Sequence, residues 1–292
     1  MLDEIKALRA VAEAGSVQRA SERLHLTQSA VSRQIQRLED ELGATLLDRR
    51  SKPPILTSAG KMVLERGRGI LAAIDALKLA STTGGEPEGP LRIGLAHSLT
   101  DAGIAEPLYR VARAFPRLSL TLVGDWTSSL VTAIGRGQLD AAIVLESGDS
   151  PAVAPGVTSR ALGREPFYVV AAKGTRRLAL EEIAVRGWIL NPDGCGVRAA
   201  LKSALEGMGL RFHVAAEAHD FDLKVALIAR GLGVGLLPAR RLERHPQRHR
   251  LQRIAVPAGV RFELPVSFMR APYLGRQARA VDALEEASVR WF

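Results

Sequence analysis

Residues 16–42, SVQRASERLHLTQSAVSRQIQRLEDEL, decide the reading of the chain. Ser16 can cap a helix, because its hydroxyl can satisfy free backbone donors at the helix start. Val17, Ala20 and Leu24 then recur at helical spacing and predict a buried stripe. His25-Leu26 breaks the pattern, and Thr27 offers a second N-cap. Val31, Ile35, Leu38 and Leu42 form the next apolar stripe, within one narrow sector at about 100° per residue. Gln28, Ser29, Ser32, Arg33 and Gln36 fall on the opposite side, in the N-terminal half of that helix. Two helices joined by a tight polar turn, the second with base-reading side chains near its N-terminus, are the layout of a helix-turn-helix. Gln can bond adenine and Arg guanine bidentately, and Ser bonds base or phosphate. A solvated polar face is the commoner reading of a single amphipathic helix. The capped helix just before it, and the scarcity of acidic residues on this face until Glu39, reverse that preference.

The flanks extend the unit. Ile5, Leu8, Val11 and Ala12 mark a leading helix over 2–14, and Gly43 stops the reading helix. Residues 44–56 predict a two-stranded wing, with Thr45-Leu46-Leu47 and Ile55-Leu56 as strands and Arg49, Arg50 and Lys52 between them. Arg49 and Lys52 are the expected phosphate and minor-groove contacts. From Thr57 a long helix runs to about Ser81. Val63, Ile70 and Leu77 repeat every seven residues, with Gly67 and Ile74 between them, which predicts a coiled-coil-like pairing seam. Gly67 and Gly69 are poor helix formers and point to a bend or a close helix contact.

The leading helix, AEAGSVQRASERLHLTQSAVSRQIQRLEDELGATLLDRR and ILTSAG together resemble the winged helix-turn-helix of LysR-type transcriptional regulators. The sequence departs from that family at Ser29, where Pro is frequent, and at Val17 and Leu47, where Phe is common. Ser29 leaves the first turn of the reading helix less rigid. The resemblance assigns Thr27, Gln28, Ser29, Ser32, Arg33, Gln36, Arg49 and Lys52 to DNA. It implies pairing of two subunits through helix 57–81 and joining of two dimers into a homotetramer. An interrupted inverted repeat of double-stranded DNA, and RNA polymerase at activated promoters, would be the partners.

Composition agrees with a globular chain of two or three domains: 292 residues, 47% hydrophobic and 24% charged. No apolar run is long enough to span a bilayer, and no secretion signal opens the chain, so a cytoplasmic protein is expected. One cysteine excludes an internal disulfide framework. The net charge of +9 suits a polyanion, but it is not concentrated in the reading unit. The first 80 residues carry 13 Lys and Arg against 10 Asp and Glu. The basic run Arg240–Arg253 reads as a solvated face.

Residues 82–90, TTGGEPEGP, are a hinge by composition. From Leu91 strands and helices alternate, as in an α/β domain. GQLDAAIV and LIARGLGVGLLP best resemble the family's effector domain, a two-lobed α/β fold like that of periplasmic solute-binding proteins. The fold class expected is therefore multidomain: winged helix-turn-helix (1–60), linker helix (57–81), hinge (82–90) and effector domain (91–292). The lobes would be 91–162 with 267–292, and 163–266.

In such a domain ligands sit at strand carboxyl ends and helix N-termini. Ser98, Thr100, Thr127, Ser128, Cys195, Gly196, Arg198 and Phe221 are the candidate effector contacts, and the family implies a small molecule, often a carboxylate. Any one Ser or Thr there is more often a helix cap. Cys195 near Arg198 suggests an oxidant-sensing thiol, but no second cysteine can close a disulfide, and a pocket-wall role is favoured. Aromatic residues are sparse, so no aromatic-lined pocket is expected. Gly231–Gly235 has the wrong order for phosphate binding. His245 and His249 flank Pro246 without an acidic ligand, so no metal is expected. No nucleophile-base-acid set is spaced for catalysis, and no cofactor is implied. An enzyme on the same α/β core, or a solute-binding transport component, explains less of the chain.

Overall fold

The computed structural model describes residues 1–292 except 52, 81–84, 147–152, 154, 177–179 and 256–261. The chain divides into an N-terminal and a C-terminal unit.

The N-terminal unit contains helices α1 (Leu2–Ala14), α2 (Val17–Leu24) and α3 (Gln28–Leu42), strands β1 (Leu47–Asp48) and β2 (Ile55–Leu56), and helix α4 (Ser58–Ala80). Local chemistry places the boundaries. Gly15 and Gly43 end α1 and α3 in the left-handed conformation. Ser16 accepts the Arg19 N–H and Thr27 the Ala30 N–H at the starts of α2 and α3. His25 ends α2 at φ 54°, the single non-glycine residue with positive φ among those described. Leu8, Val11, Ala20, Val31, Ile35 and Leu38 fill the core between the three helices.

The apolar stripe of α3 stops one turn earlier than its spacing suggests. Leu42 is exposed, and Glu39 takes the inner position instead. The wing strands pair Leu47 with Leu56 and Asp48 with Ile55, so Thr45 and Leu46 precede the strand. Gly60 at the start of α4 lies directly against the Leu46 carbonyl, where a Cβ has no room. Gly67 is a close contact and not a bend: a Cβ there would sit 2.6 Å from Ile5 Cγ2. Leu64 and Leu71 bury the same face of α4, whereas Ile70 and Leu77 are exposed.

The C-terminal unit contains β3 (Gly89–Ala96), α5 (Ala105–Ala114), β4 (Leu118–Asp125), α6 (Thr127–Gly135), β5 (Ala141–Leu145) and β6 (Thr158–Ala172). After these come α7 (Leu180–Arg186), β7 (Trp188–Leu190), α8 (Gly196–Gly207), β8 (Val214–Glu217), α9 (Phe221–Ala229) and β9 (Val234–Pro238). The last elements are α10 (Ala239–Arg244), β10 (Leu251–Arg253), β11 (Glu263–Arg270) and α11 (Ala278–Val289).

Strand order is β4-β3-β5-β11-β6-β9-β7-β8, with β10 also on β6. β3 is parallel to β4 and β5, and β7 is parallel to β8 and β9. The two parallel groups are joined by antiparallel strands. The first half of β6 pairs with β11 and its second half with β9 and β10. Two lobes result, sharing one continuous strand. Parallel strands buried on both faces need near-continuous apolar runs, and β5 (AAIVL) and β9 (VGLLP) are buried throughout. No helix among the described residues is long and apolar enough to cross a membrane.

The basic run is a solvated face in part: Arg244, Arg248, Arg250 and Arg253 are exposed, whereas Arg240 and Arg241 are half-buried. It folds as α10, a 3-10 turn (Pro246–Arg250) and β10. Three of its arginines cross to the first lobe. Arg240 donates to the Trp291 carbonyl (2.9 Å) and stacks on Trp291 and Phe292. Arg241 donates to the His97 carbonyl (3.2 Å), and Arg244 reaches Asp101 (3.4 Å).

Candidate functional sites

On α3, Gln28, Ser29, Ser32, Arg33 and Gln36 are all exposed, and so is Thr27 before them. The hydroxyls of Thr27 and Ser29 share a hydrogen bond at 3.0 Å, which orders the first turn that Ser29 leaves without the rigidity of Pro. Arg33 Nε donates to the Ser29 carbonyl at 3.3 Å, and the guanidinium makes no ion pair among the described residues. Its remaining donors are free for a base edge or phosphate.

Gln36 and Arg49 are tied down. Gln36 donates to Asp40 (2.9 Å) and accepts from Arg49 Nη1 (3.0 Å), while Arg49 Nη2 donates to Glu39 Oε2 (2.9 Å). Glu39 in turn accepts the backbone N–H groups of Leu46 (2.7 Å) and Leu47 (3.1 Å). One buried carboxylate thus joins the reading helix to the wing. Sequence reasoning missed Glu39 because it took the residue as the first acidic group on the solvent face. Arg50 keeps its guanidinium unpaired among the described residues and takes the open position expected of Arg49. Lys52 lies outside the described residues.

In the C-terminal unit, the carboxyl ends of β3 and β4 meet those of β7, β8 and β9. His97 follows β3 and Trp126 follows β4; their rings pack edge-to-face at 4.8 Å. His219, after β8, lies 5.6 Å from Trp126 and 6.4 Å from His97. An aromatic wall therefore exists across the lobes, built from few residues. Asn191, after β7, is a hub. It donates to Cys195 Sγ (3.2 Å), accepts from Lys224 Nζ, and its carbonyl accepts from Arg198 (3.1 Å).

Lys224 is buried at 6% exposure. Desolvation brings its ammonium down to about 8, opposed by Cys195 and Asp220 and assisted by Arg241. Arg241, set over the Phe221 ring at 4.0 Å, is also lowered, first by burial. His97 is held below the usual imidazole value by burial, against the pull of Asp125.

The residues expected to hold an effector are distributed unevenly around this cluster. Cys195 and Phe221 are buried in its wall, and Gly196 opens α8 beside it. Ser98 adjoins His97, and Ser128 is exposed on α6. Thr100 and Thr127 spend their hydroxyls on the carbonyls of Ala96 (3.3 Å) and Leu145 (2.9 Å). Arg198 is a brace, clamped by Asp193 (3.0 Å) and Glu217 (2.6 Å). His245 does have an acidic neighbour, Asp222 at 3.1 Å, yet no group of three metal-ligating side chains forms among the described residues.

Residues 2–61 match the model of the bacterial regulatory helix-turn-helix proteins of the lysR family, and residues 84–287 match that of the LysR substrate binding domain. The chain belongs to the LysR family. A LysR-type regulator binds DNA through the winged helix-turn-helix and responds to a small molecule in its C-terminal domain, and this chain carries both parts. Among its relatives, the nitrogen assimilation regulatory protein nac of Escherichia coli is 31% identical over 78% of this chain and 75% of its own length. The hydrogen peroxide-inducible genes activator of Pectobacterium carotovorum is 29% identical over 84% of this chain and 82% of its own. Full-length OxyR from Pseudomonas aeruginosa shares the fold at a TM-score of 0.70 and 21% identity, covering 99% of this chain and 97% of that one. This LysR-type chain carries one signal for its cleft that sequence reasoning passed over. Lys224 is the single lysine in an otherwise apolar turn of α9, KVALIA.

Proposed function

We propose that this LysR-type regulator acts in the cytoplasm on an interrupted inverted repeat, reading it with Gln28, Ser29, Ser32 and Arg33. Gln36 and Arg49 set the angle between reading helix and wing, with Arg50 and Lys52 on phosphate. The effector occupies the cleft between the lobes, among His97, Trp126, Asn191, Cys195, Lys224 and Arg241. Dimers form through the exposed half of the α4 seam, Ile70 to Leu77, and join into a tetramer through the effector domains. Effector binding changes the angle between dimers, and with it DNA bending and polymerase recruitment. The observation that carries the effector reading is the convergence of five strand ends from both lobes on one polar cluster, since ligands of open α/β sheets sit outside strand carboxyl ends.

The test is genome-wide mapping of sites bound by the full chain at fixed physiological salt, because phosphate contacts alone give salt-sensitive, non-specific binding. Discrete sites sharing an inverted repeat are expected. Diffuse binding throughout would refute the assignment of reading residues.

A further inference from the structure

The two lobes of the C-terminal unit are joined by a short ribbon. β11 pairs with β5 from Val266 onward, and β6 pairs with β9 from Phe167 onward. Between those sheets, residues 163–166 of β6 pair with 263–266 of β11. The register slips between Val266 and Ser267, so the ribbon carries a bulge at its first-lobe end. A two-stranded ribbon is marginal on its own, and a bulge bends and twists it. Such a link lets two packed bodies rotate unless a further contact holds them.

Arg240 and the residues after α11 sit on that ribbon. Glu165, at 1% exposure, is a ribbon residue. It accepts the Arg240 backbone N–H at 3.3 Å, and Arg240 Nε lies 3.3 Å from its second oxygen. The same guanidinium donates to the Trp291 carbonyl (2.9 Å) and lies 4.3 Å and 4.4 Å from the ring centroids of Trp291 and Phe292. Phe292 packs on the ribbon where Gly163 has no side chain: a Cβ there would come within 3.2–3.3 Å of it. The Trp291 ring packs likewise on Gly103, where a Cβ would lie 2.8 Å from it. α10 follows β9 in the second lobe, whereas α11 packs on α5 in the first. One side chain, Arg240, therefore touches both lobes and the ribbon between them.

The joint is not fully satisfied. Trp291 Nε1 and Glu165 Oε2 are buried there without a hydrogen bond among the described residues. A permanent joint would pair such atoms, whose burial is unfavourable. Rotation of the lobes returns both to water, which offsets the lost stacking. We propose that Arg240, Trp291 and Phe292 form a releasable lock on the interlobe ribbon, holding the lobe angle while closed and freeing the lobes to rotate once open. Arg241, the next residue, donates to the His97 carbonyl in the cleft. A displacement there reaches the lock through one backbone step, and this coupling alone rests on the cleft being the effector site.

The experiment measures the distance between lobes in the full chain without effector. Spin labels are attached at Tyr273→Cys in the first lobe and Val185→Cys in the second, both exposed positions outside the lock. Labelled chains are diluted with unlabelled protein, so each distance lies within one chain. Cys195 is buried, and mass spectrometry verifies two labels per chain. Pulsed dipolar spectroscopy should give one narrow distance with the lock intact. Arg240→Met and Trp291→Leu should each add a second population, raising the ratio of open to closed lobes at least ~10-fold, the worth of a desolvated cation–π contact. The combined variant should add little to either, because both open the same joint. Arg240→Lys keeps a cation beside Glu165 without the flat stacking face and should open the lobes too, which covers poor folding of the Met variant. Arg253→Met is the control. Arg253 stacks on Tyr168 at 3.4 Å and pairs with Glu243, all within the second lobe, so its distance distribution should stay that of the intact lock even where its melting temperature falls.

An unchanged distribution in Arg240→Met, Arg240→Lys and Trp291→Leu overturns the lock and leaves the cleft assignment untouched. An equal second population in Arg253→Met also overturns it, because general loosening of the second lobe would then account for the change.

Discussion

Replacing Glu39 with Ala isolates the joint between the reading helix and the wing. The carboxylate accepts two backbone N–H groups, Leu46 at 2.7 Å and Leu47 at 3.1 Å, and an Arg49 donor at 2.9 Å, at 8% exposure. Leaving a buried donor unsatisfied costs about 1–3 kcal/mol, so two orphaned amides set a range of about 2–6 kcal/mol. The space vacated by the carboxylate can hold a water that bonds one or both amides, which puts the expected loss near ~2 kcal/mol. That is a large share of a domain stability of roughly 5–15 kcal/mol. Amide hydrogen exchange reads it locally, because a protected amide exchanges in proportion to its opening equilibrium. The amides of Leu46 and Leu47 should exchange ~30-fold faster in the variant, at about 1.4 kcal/mol per factor of ten. Glu39→Gln keeps an oxygen for those amides but turns an NH2 group toward Arg49. It should preserve the protection and loosen only the Arg49 tether. Exchange at Leu46 and Leu47 within about threefold of wild type in a folded Glu39→Ala protein would refute the reasoning, because the carboxylate would then not be their working acceptor.

Three other outcomes are expected. Arg33→Ala should lose about 1–3 kcal/mol of specific DNA affinity and relax base preference at one position; gel-shift titration against single-base operator variants measures both. Leu77→Glu, at a position 70% exposed on the single chain, should shift sedimentation toward smaller species without lowering the melting temperature of the N-terminal unit. Glu165 is buried at 1% exposure, and desolvation raises its pKa above 4.5 against the pull of Arg240. The folded state then holds that proton more tightly than the unfolded chain. Stability from this residue is present in acid and is lost as pH rises from 4.5 through the raised value. The difference in urea midpoint between wild type and Glu165→Gln should therefore change across this window, and a constant difference would remove Glu165 from the linkage.

The parts of the molecule legible in the sequence are those set by local chemistry. Ser16, Thr27 and Gly43 mark helix ends through groups within three or four residues, and the structure uses each that way. β5 and β9 announce themselves as short apolar runs. What was misread depends on partners far along the chain. Arg240 and Arg241 look like a solvated run until Trp291 and His97 arrive from the other lobe. Glu39 and Leu42 exchange their expected places because two backbone donors of the wing outbid an apolar side chain for the inner position. The aromatic wall escaped notice because its three rings, His97, Trp126 and His219, are spread over more than a hundred residues and need only meet once. Arg198 had the right charge in the right loop, but Asp193 and Glu217 claim it first.

The strand order also fixes the sequence of events during synthesis. β11 lies between β5 and β6, in the middle of the first lobe's sheet, yet it is the last strand of the chain. The first lobe cannot close until Arg270 has left the ribosome. The reading unit is finished once α4 has emerged, roughly 190 residues earlier, or ~10–40 s at bacterial synthesis rates of about 5–20 residues per second. For that interval each nascent chain carries a complete DNA-reading surface and no working sensor. A truncation that removes β11 would leave a product in that condition permanently.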